Sequence, residues 1–356
     1  MLTNELRKDY LLNRWVVIAT KRKRRPTDFA KKTRRVQGKG VCPLCPGCED
    51  KTPPAVLVYL PSKNGGVQKE RDRNGFRHKN WLVRCIPNLY PAFSPPAEGE
   101  NMQVQETPAA AKAIGYHEVL VESPNHNEHP GVARISQLIH VVNACLDRLQ
   151  NLSVKPCVKY VSIFRNHGLE AGASLSHAHT QIIALPFTPV IVDSELKESR
   201  DYWTKNKKCI FCDILKKERD GPRFVWENDS FIVFAPWASV HPFEFWIFPK
   251  KHELTPLGMS KREIEFFART LRICLGGLKS LLNDPPYNFG FHIAPVGDRR
   301  KDYHWHLEVY PKLAIWAGFE KSTGVFINVV KPEDAAVELR RSVLAEEEKL
   351  SKTAVS

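Results

Sequence analysis

The sequence lacks any long hydrophobic run, which argues against a membrane protein. No stretch of about 18 apolar residues occurs in the 356-residue chain, so no transmembrane helix is expected. Residues 1–5 also do not begin an apolar signal segment. We therefore expect a cytoplasmic protein without a membrane partner, in a reducing compartment where structural disulfides are rare.

The sequence also has fewer acidic residues than basic ones. The chain has 39 Asp and Glu residues against 53 Lys and Arg residues, which gives a formal net charge of +14. This balance favours anionic partners, namely nucleic acid, acidic membrane or phosphorylated small molecules, without choosing among them. Apolar residues make up 42% of the chain, enough to build the cores of two domains or two halves at this length.

Cysteines occur in an odd number, nine, and include two Cys-x-x-Cys pairs. The pairs are Cys42 with Cys45 and Cys209 with Cys212. In a reducing compartment such pairs are more often metal ligands or redox centres than disulfides. Neither pair opens a thioredoxin-like strand–helix–strand pattern, so metal binding is the favoured interpretation. Reduced cysteines buried in a core are the alternative.

The chain repeats one order of parts. After each Cys-x-x-Cys pair comes a strand-like stretch that ends near a histidine, His126 or His252. An amphipathic helical pattern follows each of these histidines. Each unit then closes with His-x-His on an apolar stretch, at residues 177–179 and 304–306, and the two corresponding intervals differ by one residue. The repeated order predicts a duplicated unit.

The duplication predicts a first, catalytic half at residues 1–191 and a second half at 192–356, with the polar segment 192–208 at the join. Strand patterns outnumber helix patterns in each half, and helices occur singly between strands. A capping-box pattern at Ser260 and Glu263 predicts the start of the second-half helix. The predicted fold class is therefore α+β, with two pseudo-repeated halves and a mainly antiparallel sheet on which single helices pack.

Each half offers two thiols and two imidazoles, the donor set that tetrahedral zinc prefers. A lone Cys-x-x-Cys is a weak signal. Two of them, each followed by similarly spaced histidines, predict two metal sites with zinc as the cofactor. The first site would use Cys42, Cys45, His126 and His177, and the second would use Cys209, Cys212, His252 and His304.

The sharpest motif is His177-Ala-His179-Thr-Gln181, and the apolar residues 182–185 after it predict a buried strand. Alternate residues of a strand share a face, so His177, His179 and Gln181 are expected on one side. A metal on His177 would pin the strand and present His179 beside it. A neutral imidazole has a lone pair for attack on phosphorus, and the Gln181 amide can donate to a phosphate oxygen. The alternative is that both imidazoles bind metal.

Other residues suit an anionic substrate. Gly168, Gly172 and Ser174 are typical of a loop whose backbone N–H groups approach phosphate. Arg22 and Arg25 can neutralise negative charge in a transition state.

The second half is an uneven copy of the first. Glu308 stands where the first half has Gln181, and a carboxylate would repel a phosphate group. We therefore expect catalysis in the first half and a structural role for the second. The role of His306 stays open, because it could bind metal or line a site.

These motifs resemble those of the galactose-1-phosphate uridylyltransferase family, within the histidine triad superfamily. The motif at 177–181 is similar to the family's catalytic motif, and segments at 11–26, 84–92, 122–126 and 318–320 resemble its other motifs in the same order. The resemblance covers nearly the whole chain. It implies two histidine-triad-like halves, a nucleotidyl-histidine intermediate and a homodimer. It also implies nucleotide sugar and sugar phosphate as the substrates, and no nucleic acid.

The resemblance implies roles for individual residues as well. His179 would be the nucleophile, with Gln181 beside it as the second catalytic residue. The residues implied to bind phosphate, nucleoside or sugar groups are Arg22, Arg25, Asn88, Asn166, Gly168, Ser174, Glu320 and Asn328.

Some positions depart from the best-known pattern of that family. Ala178 replaces the proline between the histidines, and Ala314 stands where a lysine is expected. Leu89 follows Asn88 where a ribose-binding aspartate is common, and residues 318–328 resemble the branch that contains plant ADP-glucose phosphorylase. The expected reaction is nucleotidyl transfer from UDP-glucose to galactose 1-phosphate, and the alternative is adenylyl transfer from ADP-glucose to phosphate. More remote alternatives are a zinc-ribbon nucleic-acid-binding protein and a histidine-triad hydrolase.

Overall fold

The computed structural model describes residues 4–19, 26–29, 41–73, 75–97, 112–156 and 158–353. These residues form fourteen strands: β1 (Glu5–Lys8), β2 (Trp15–Ile18), β3 (Leu57–Pro61), β4 (Val67–Glu70), β5 (Val83–Pro87), β6 (Tyr116–Val121), β7 (Tyr160–His167), β8 (His179–Leu185), β9 (Phe224–Glu227), β10 (Phe231–Phe234), β11 (Phe245–Pro249), β12 (Tyr287–His292), β13 (His306–Pro311) and β14 (Phe326–Asn328). They also form six α-helices: α1 (Ile135–Ser153), α2 (Val190–Asn206), α3 (Ile210–Arg219), α4 (Lys261–Leu282), α5 (Gly318–Thr323) and α6 (Pro332–Thr353).

Eleven of the strands form one antiparallel sheet, in the order β4-β3-β5-β6-β8-β7-β12-β13-β11-β10-β9. Four strands of the first half, in the order β5-β6-β8-β7, correspond to β10-β11-β13-β12 of the second half. The two sets run across the sheet in opposite order, so that β7 and β12 are neighbours at the centre. The halves meet where β7 pairs with β12, from Tyr287 opposite His167 to Gly290 opposite Phe164. The predicted α+β class and the pseudo-repeat are confirmed.

Single helices cover one face of the large sheet, as the sequence pattern predicts. Helix α1 contacts β5, β6 and β7, helix α4 contacts β10, and the two helices pack against each other. Helix α4 begins after the Ser260 N-cap, whose hydroxyl accepts from the backbone N–H of Glu263 while the Glu263 carboxylate accepts from the Ser260 N–H. Strand β8 buries Ile182 and Ala184 fully against this side. His179 and Gln181 therefore lie on the opposite face, because alternate residues of a strand point to opposite faces.

A small sheet links the chain's two ends. Strand β1 pairs with β2 in antiparallel fashion, and β14 pairs with β2 in parallel fashion. Val16 and Ile18 of β2 pack with Ala238, and the Arg7 guanidinium donates to Glu333 of α6 at 3.1 Å. Residues 5–18 thus pack with the second half in space, although they precede the first half in sequence.

The segment between the halves forms a helix. Residues 192–208, predicted as a polar join, overlap α2, which begins at Val190. The predicted division between residues 191 and 192 therefore falls in the first turn of this helix. That the chain divides into two domains at this point remains a prediction. Among the residues that the structure describes, none of the helices combines the length and apolar character needed to cross a membrane.

Candidate active site

Strand β8 carries the motif that the sequence singles out. It begins at His179 and pairs with β6, where Val121 lies opposite His179 and Val119 opposite Gln181. His177 lies directly before the strand and is buried, and His179 is 5% exposed. The strand therefore presents both histidines from a fixed backbone.

Two cysteines and two histidines of the first half converge on one point. The Cys45 Sγ lies 3.3 Å from the Nδ1 of His126 and 3.4 Å from the Nδ1 of His177, and the Cys42 Sγ lies 3.8 Å from the Nδ1 of His177. These four residues are close enough together to share a metal ion. All four predicted ligands of the first site are thus brought together.

The far nitrogens of these imidazoles are also engaged. The Nε2 of His177 lies 2.8 Å from the carbonyl oxygen of Ser123, to which it can only donate. The Nε2 of His126 lies 2.9 Å from the hydroxyl of Ser176. A proton on Nε2 of His177 leaves the lone pair on Nδ1, facing the thiols, and such outer contacts orient metal ligands in general.

His179 points its two nitrogens to different surroundings. Its Nδ1 lies 2.8 Å from the carbonyl oxygen of His177 and donates to it. The lone pair is therefore on Nε2, which has no hydrogen-bond partner within the described part of the chain. Burial lowers the pKa of His179, and the hydrogen bond to the His177 carbonyl opposes this only in part. The imidazole is neutral at neutral pH and carries an available lone pair.

A buried ion pair holds the backbone of His179 from the opposite face of the sheet. The Arg165 guanidinium donates to the His179 carbonyl at 3.2 Å and pairs with the Glu122 carboxylate. The Thr180 hydroxyl donates to the same carboxylate at 2.7 Å. Arg165 and Glu122 are almost fully buried, so these contacts are strong constraints on the strand. Sequence reasoning missed this network, because its members are distant in sequence and follow no motif.

Gln181 and Asn88 are brought together through a histidine that sequence reasoning also missed. The Gln181 Oε1 lies 2.8 Å from the Nε2 of His117, and the Asn88 Nδ2 lies 3.1 Å from the same nitrogen. The backbone N–H of Asn88 donates to the His117 carbonyl at 2.8 Å. The alternating pattern of β6 could have indicated this histidine. His117 shares a face of β6 with Val119 and Val121, which lie opposite Gln181 and His179 on β8.

The loop after β7 contains two glycines in a left-handed backbone conformation. Gly168 and Gly172 have φ angles of +83° and +88°, which side chains rarely adopt. Ser174 is exposed on this loop. Asn166, at the end of β7, accepts from the Asn288 side chain at 2.7 Å, so its own amide hydrogens remain for a ligand.

The second metal cluster lies at the start of α3. Cys209 is the N-cap of this helix, and Cys209, Cys212 and His252 are close enough to share an ion. The Cys212 Sγ lies 3.2 Å from the Nδ1 of His252 and 4.0 Å from the Nδ1 of His304. The Nε2 of His304 is buried without a hydrogen-bond partner in the described residues. Three predicted ligands therefore converge, with His304 beside them at a slightly longer distance.

Three further predicted site residues have no described contact with His179. Arg22 and Arg25 lie outside the described residues. Glu320 lies in the exposed helix α5, where its carboxylate accepts from the backbone N–H of Ala317 at 3.0 Å. The substrate-binding roles of these three residues remain predictions.

Asn328, which the sequence predicts to bind substrate, is buried in this structure, and its substrate-binding role remains a prediction. Asn328 is 1% exposed, and its amide donates to the carbonyls of Ser239 and His241 at 2.8 and 3.2 Å. Its Oδ1 accepts from the backbone N–H of Val330. All its hydrogen-bonding groups are therefore occupied, and Asn328 ties β14 to the loop before β11.

Comparison with known proteins agrees with this geometry. The family described as a domain of unknown function, DUF4921, matches residues 122–354. The chain is 34% identical over 343 residues to ADP-glucose phosphorylase from Arabidopsis thaliana, covering 94% of this chain and 92% of that protein. It is 30% identical over 348 residues to galactose-1-phosphate uridylyltransferase from Thermotoga maritima, covering 95% of this chain and 98% of that protein.

Solved structures give the same result. The crystal structure of an ADP-glucose phosphorylase from Arabidopsis thaliana with bound ADP-glucose matches with a TM-score of 0.78 and 31% identity, over 95% of this chain and 99% of that one. A uridylyltransferase structure matches with a TM-score of 0.72 and 25% identity, over 96% and 99% of the two chains. The chain belongs to the DUF4921 family. The resemblance to galactose-1-phosphate uridylyltransferases is thus confirmed.

In this DUF4921 chain the second half holds a closed version of the same site. The Nδ1 of His306 faces the carbonyl of His304 at 3.2 Å, as His179 faces that of His177. The Nε2 of His306, however, contacts the Glu308 carboxylate at 3.2 Å, and the ring is fully buried. Both nitrogens of His306 therefore face oxygen atoms of the protein, and neither is open to a substrate in this structure.

Proposed function

We propose that this protein is a nucleotidyltransferase that carries the nucleotidyl group on His179. The observation that supports this most directly is the Nδ1–H of His179 donating to the His177 carbonyl, which leaves the Nε2 lone pair for attack. In the first step Nε2 attacks the α-phosphorus of a nucleotide sugar. A P–N bond forms, and the P–O bond to hexose 1-phosphate breaks, so that hexose 1-phosphate leaves with the electron pair.

In the second step an oxygen of the acceptor phosphate attacks the same phosphorus and the P–N bond breaks, which restores the neutral imidazole. The imidazole carries a positive charge in the intermediate, and the carbonyl of His177 stabilises it through the Nδ1–H. Both attacking groups are already unprotonated, so no general base is required. The Gln181 amide would donate to the phosphate oxygens as charge develops on them.

For the donor we propose ADP-glucose, with phosphate as the acceptor. Leu89 stands where a ribose-binding aspartate is common, and the segment at 318–328 resembles the branch of plant ADP-glucose phosphorylase. The 34% identity to the Arabidopsis enzyme supports the same choice. The second candidate is UDP-glucose with galactose 1-phosphate, supported by the 30% identity to the Thermotoga enzyme over nearly its full length.

The test is covalent labelling. The protein is incubated with ADP-glucose or UDP-glucose, each labelled at the α-phosphorus, and the chain is then examined for acid-labile, base-stable label at residue 179. We expect label from ADP-glucose, discharged by phosphate as labelled ADP. Label from UDP-glucose alone, discharged by galactose 1-phosphate, would select the second candidate. No label from either donor would contradict the proposed function.

We also propose that the metal in the first cluster is zinc. Bonds of about 2.3 Å to sulfur and about 2.0 Å to nitrogen give S···N distances of about 3.5 Å around a tetrahedral zinc ion. The three S···N distances in the first cluster are 3.3, 3.4 and 3.8 Å. Bound zinc would hold both thiols as thiolates and fix His177, whose carbonyl in turn orients His179.

Elemental analysis tests the zinc proposal. Cys45→Ser is expected to lose one equivalent of zinc and to lower the midpoint of thermal unfolding, since an ion present at a thousand times its Kd stabilises by about 4 kcal/mol. Cys212→Ser is the matched variant for the second cluster. Unchanged metal content in Cys45→Ser would contradict the assignment.

A homodimer remains a proposal that comes from the family resemblance. Ile315 is 92% exposed and Phe319 is 48% exposed, beside Glu320, so this apolar segment is available for a partner. Light scattering on the purified protein should give twice the chain mass, and Ile315→Asp should shift it toward the monomer. A monomeric wild-type protein would contradict the proposal.

A further inference from the structure

His117 lies beside Gln181 on the face of the sheet that carries His179. Val119 is directly opposite Gln181 across the β6–β8 pair, and His117 is two residues before Val119 on the same face. The two side chains meet diagonally, with the His117 Nε2 2.8 Å from the Gln181 Oε1. No step of the proposed reaction uses this histidine directly.

The surroundings of His117 fix which of its nitrogens carries the proton. The backbone N–H of Ala92 donates to the His117 Nδ1 at 3.1 Å. A nitrogen that accepts from a backbone N–H holds the lone pair, so in the neutral ring the proton is on Nε2. The Nε2–H therefore donates to Gln181, and only the oxygen of the Gln181 amide can face it.

The orientation of Gln181 follows from this contact. If the amide were rotated by half a turn, its NH2 group would face the N–H of His117, donor against donor. The observed arrangement instead leaves the NH2 group of Gln181 to face the substrate. We propose that His117 is a positioning residue that aims the Gln181 amide donors at the phosphate oxygens during nucleotidyl transfer, an inference that rests on the proposed function.

Asn88 extends the same arrangement to the predicted nucleoside segment. The Oδ1 of Asn88 accepts from the backbone N–H of Tyr90 at 2.9 Å, which turns its Nδ2 toward the His117 Nε2. Because the Nε2–H of His117 is directed at the Gln181 Oε1, 2.8 Å away, the Asn88 Nδ2 makes no hydrogen bond with that nitrogen. His117 thus lies between the residue predicted to hold the nucleoside and the residue predicted to hold the phosphate.

The second half supports reading His117 and Gln181 as a pair. There Trp246 lies opposite Glu308 across the β11–β13 pair, and Glu244 is two residues before Trp246. Glu244 and Glu308 therefore occupy the positions of His117 and Gln181. Both members of the pair therefore differ in the second half, where Glu244 replaces the N–H donor His117 and Glu308 replaces the amide Gln181.

A double-mutant cycle tests this role. The rate of covalent labelling in a single turnover and the Kd for the donor are measured for wild type, His117→Phe, Gln181→Ala and the double variant. We expect His117→Phe to slow labelling on the order of 10- to 100-fold with little change in Kd, because a small misplacement of a catalytic donor has that effect. In the Gln181→Ala background the same change should have almost no further effect.

Two further variants separate positioning from general damage. His117→Gln keeps an N–H donor and should recover part of the rate lost in His117→Phe. His140→Phe makes the same chemical change on the half-buried face of α1 and should label like wild type. Independent losses in the cycle, or no recovery with His117→Gln in a folded protein, would overturn the positioning role. Absence of label on the wild-type protein would overturn the proposed function, and the positioning role with it.

Discussion

The two halves of the molecule share one side-chain-to-backbone contact but differ in the surroundings of the histidine that makes it. In each half the second histidine of His-x-His donates its Nδ1–H to the carbonyl of the first, at 2.8 Å for His179 and 3.2 Å for His306. This contact orients the imidazole in the same way in both halves. Under the proposed function, the surroundings of Nε2 then decide whether the histidine can act as a nucleophile or is a buried structural group.

In the second half aromatic and acidic side chains fill the space that a substrate would need. Phe248 stacks on His306 with ring centroids 4.5 Å apart and planes 10° apart. At the corresponding point of the first half Val121 lies opposite His179. The smaller Val121 side chain does not stack on the imidazole of His179, whereas the phenyl ring of Phe248 covers one face of His306. The two halves therefore share a backbone arrangement and differ in the side chains around the second histidine.

The strongest test of this comparison replaces each histidine in turn. His179→Ala should lose covalent labelling on the order of 10⁴-fold or more, because no other group supplies the attacking lone pair. His306→Gln should keep labelling per folded molecule, and should cost about 1–3 kcal/mol of unfolding free energy from disturbed buried hydrogen bonds. Labelling is measured by mass spectrometry and stability by urea unfolding. Label retained in His179→Ala, or lost in folded His306→Gln, would reverse the assignment of the halves.

A second test replaces Gln181 of the first half by glutamate, the residue found at the corresponding position 308 of the second half. Gln181→Glu removes two amide donors and adds a negative charge beside the phosphate, while the carboxylate can still accept from His117. Loss of one such donor costs about 10²- to 10³-fold in kcat, so a loss of at least that size is expected in single-turnover labelling. Glu308→Gln is the matched control and should leave the rate unchanged. Equal rates for Gln181→Glu and wild type would show that charge at this position is not what separates the halves.

Much of this contrast could be predicted from the sequence. The order Cys-x-x-Cys, His, His-x-His is local and repeated, so it predicted both metal clusters and the placement of His179 on a strand. The replacement of Gln181 by Glu308 predicts which half is catalytic, and this remains a prediction. The placement of the predicted ligands and of His179 could be foreseen because the spacing of residues within one strand or turn fixes their geometry.

Other features depend on pairings that no local pattern records. His117 and Gln181 meet only because β6 pairs with β8 in one register, and Arg165 reaches Glu122 only because β7 lies on the other side of β8. The pairing of β2 with β14 joins the two ends of the chain. Asn328 was predicted to bind substrate from its segment's resemblance, yet its burial is set by this long-range contact.

The last expected effect is a pH dependence of stability to which His292 of the second half contributes. Burial would lower the pKa of His292, but Glu195 and Glu308 outweigh it and raise that pKa to about 9. His292 also contacts the Tyr310 hydroxyl at 3.1 Å. A histidine with a raised pKa in the folded state stabilises fully below about pH 6.5, and this contribution is lost as the pH rises toward 9. The neutral His179 makes no such contribution, because its pKa is lowered.

Urea unfolding between pH 6.5 and 9 measures this difference. Glu244 also contributes below pH 8, because burial and the nearby Glu308 charge raise its pKa to about 8. Buried thiols such as Cys145 and Cys274 also contribute between pH 8 and 9, because burial raises the pKa of each above that of the unfolded thiol. The contribution of His292 is therefore a difference between variants: wild type and Glu244→Gln should both lose more stability across that window than His292→Gln. His292→Gln should already be less stable at pH 6.5, by about 3–5 kcal/mol, because Glu195 and Glu308 lose their buried partner. An equal slope between pH 8 and 9 in wild type and His292→Gln would mean that the second half does not hold a charged histidine.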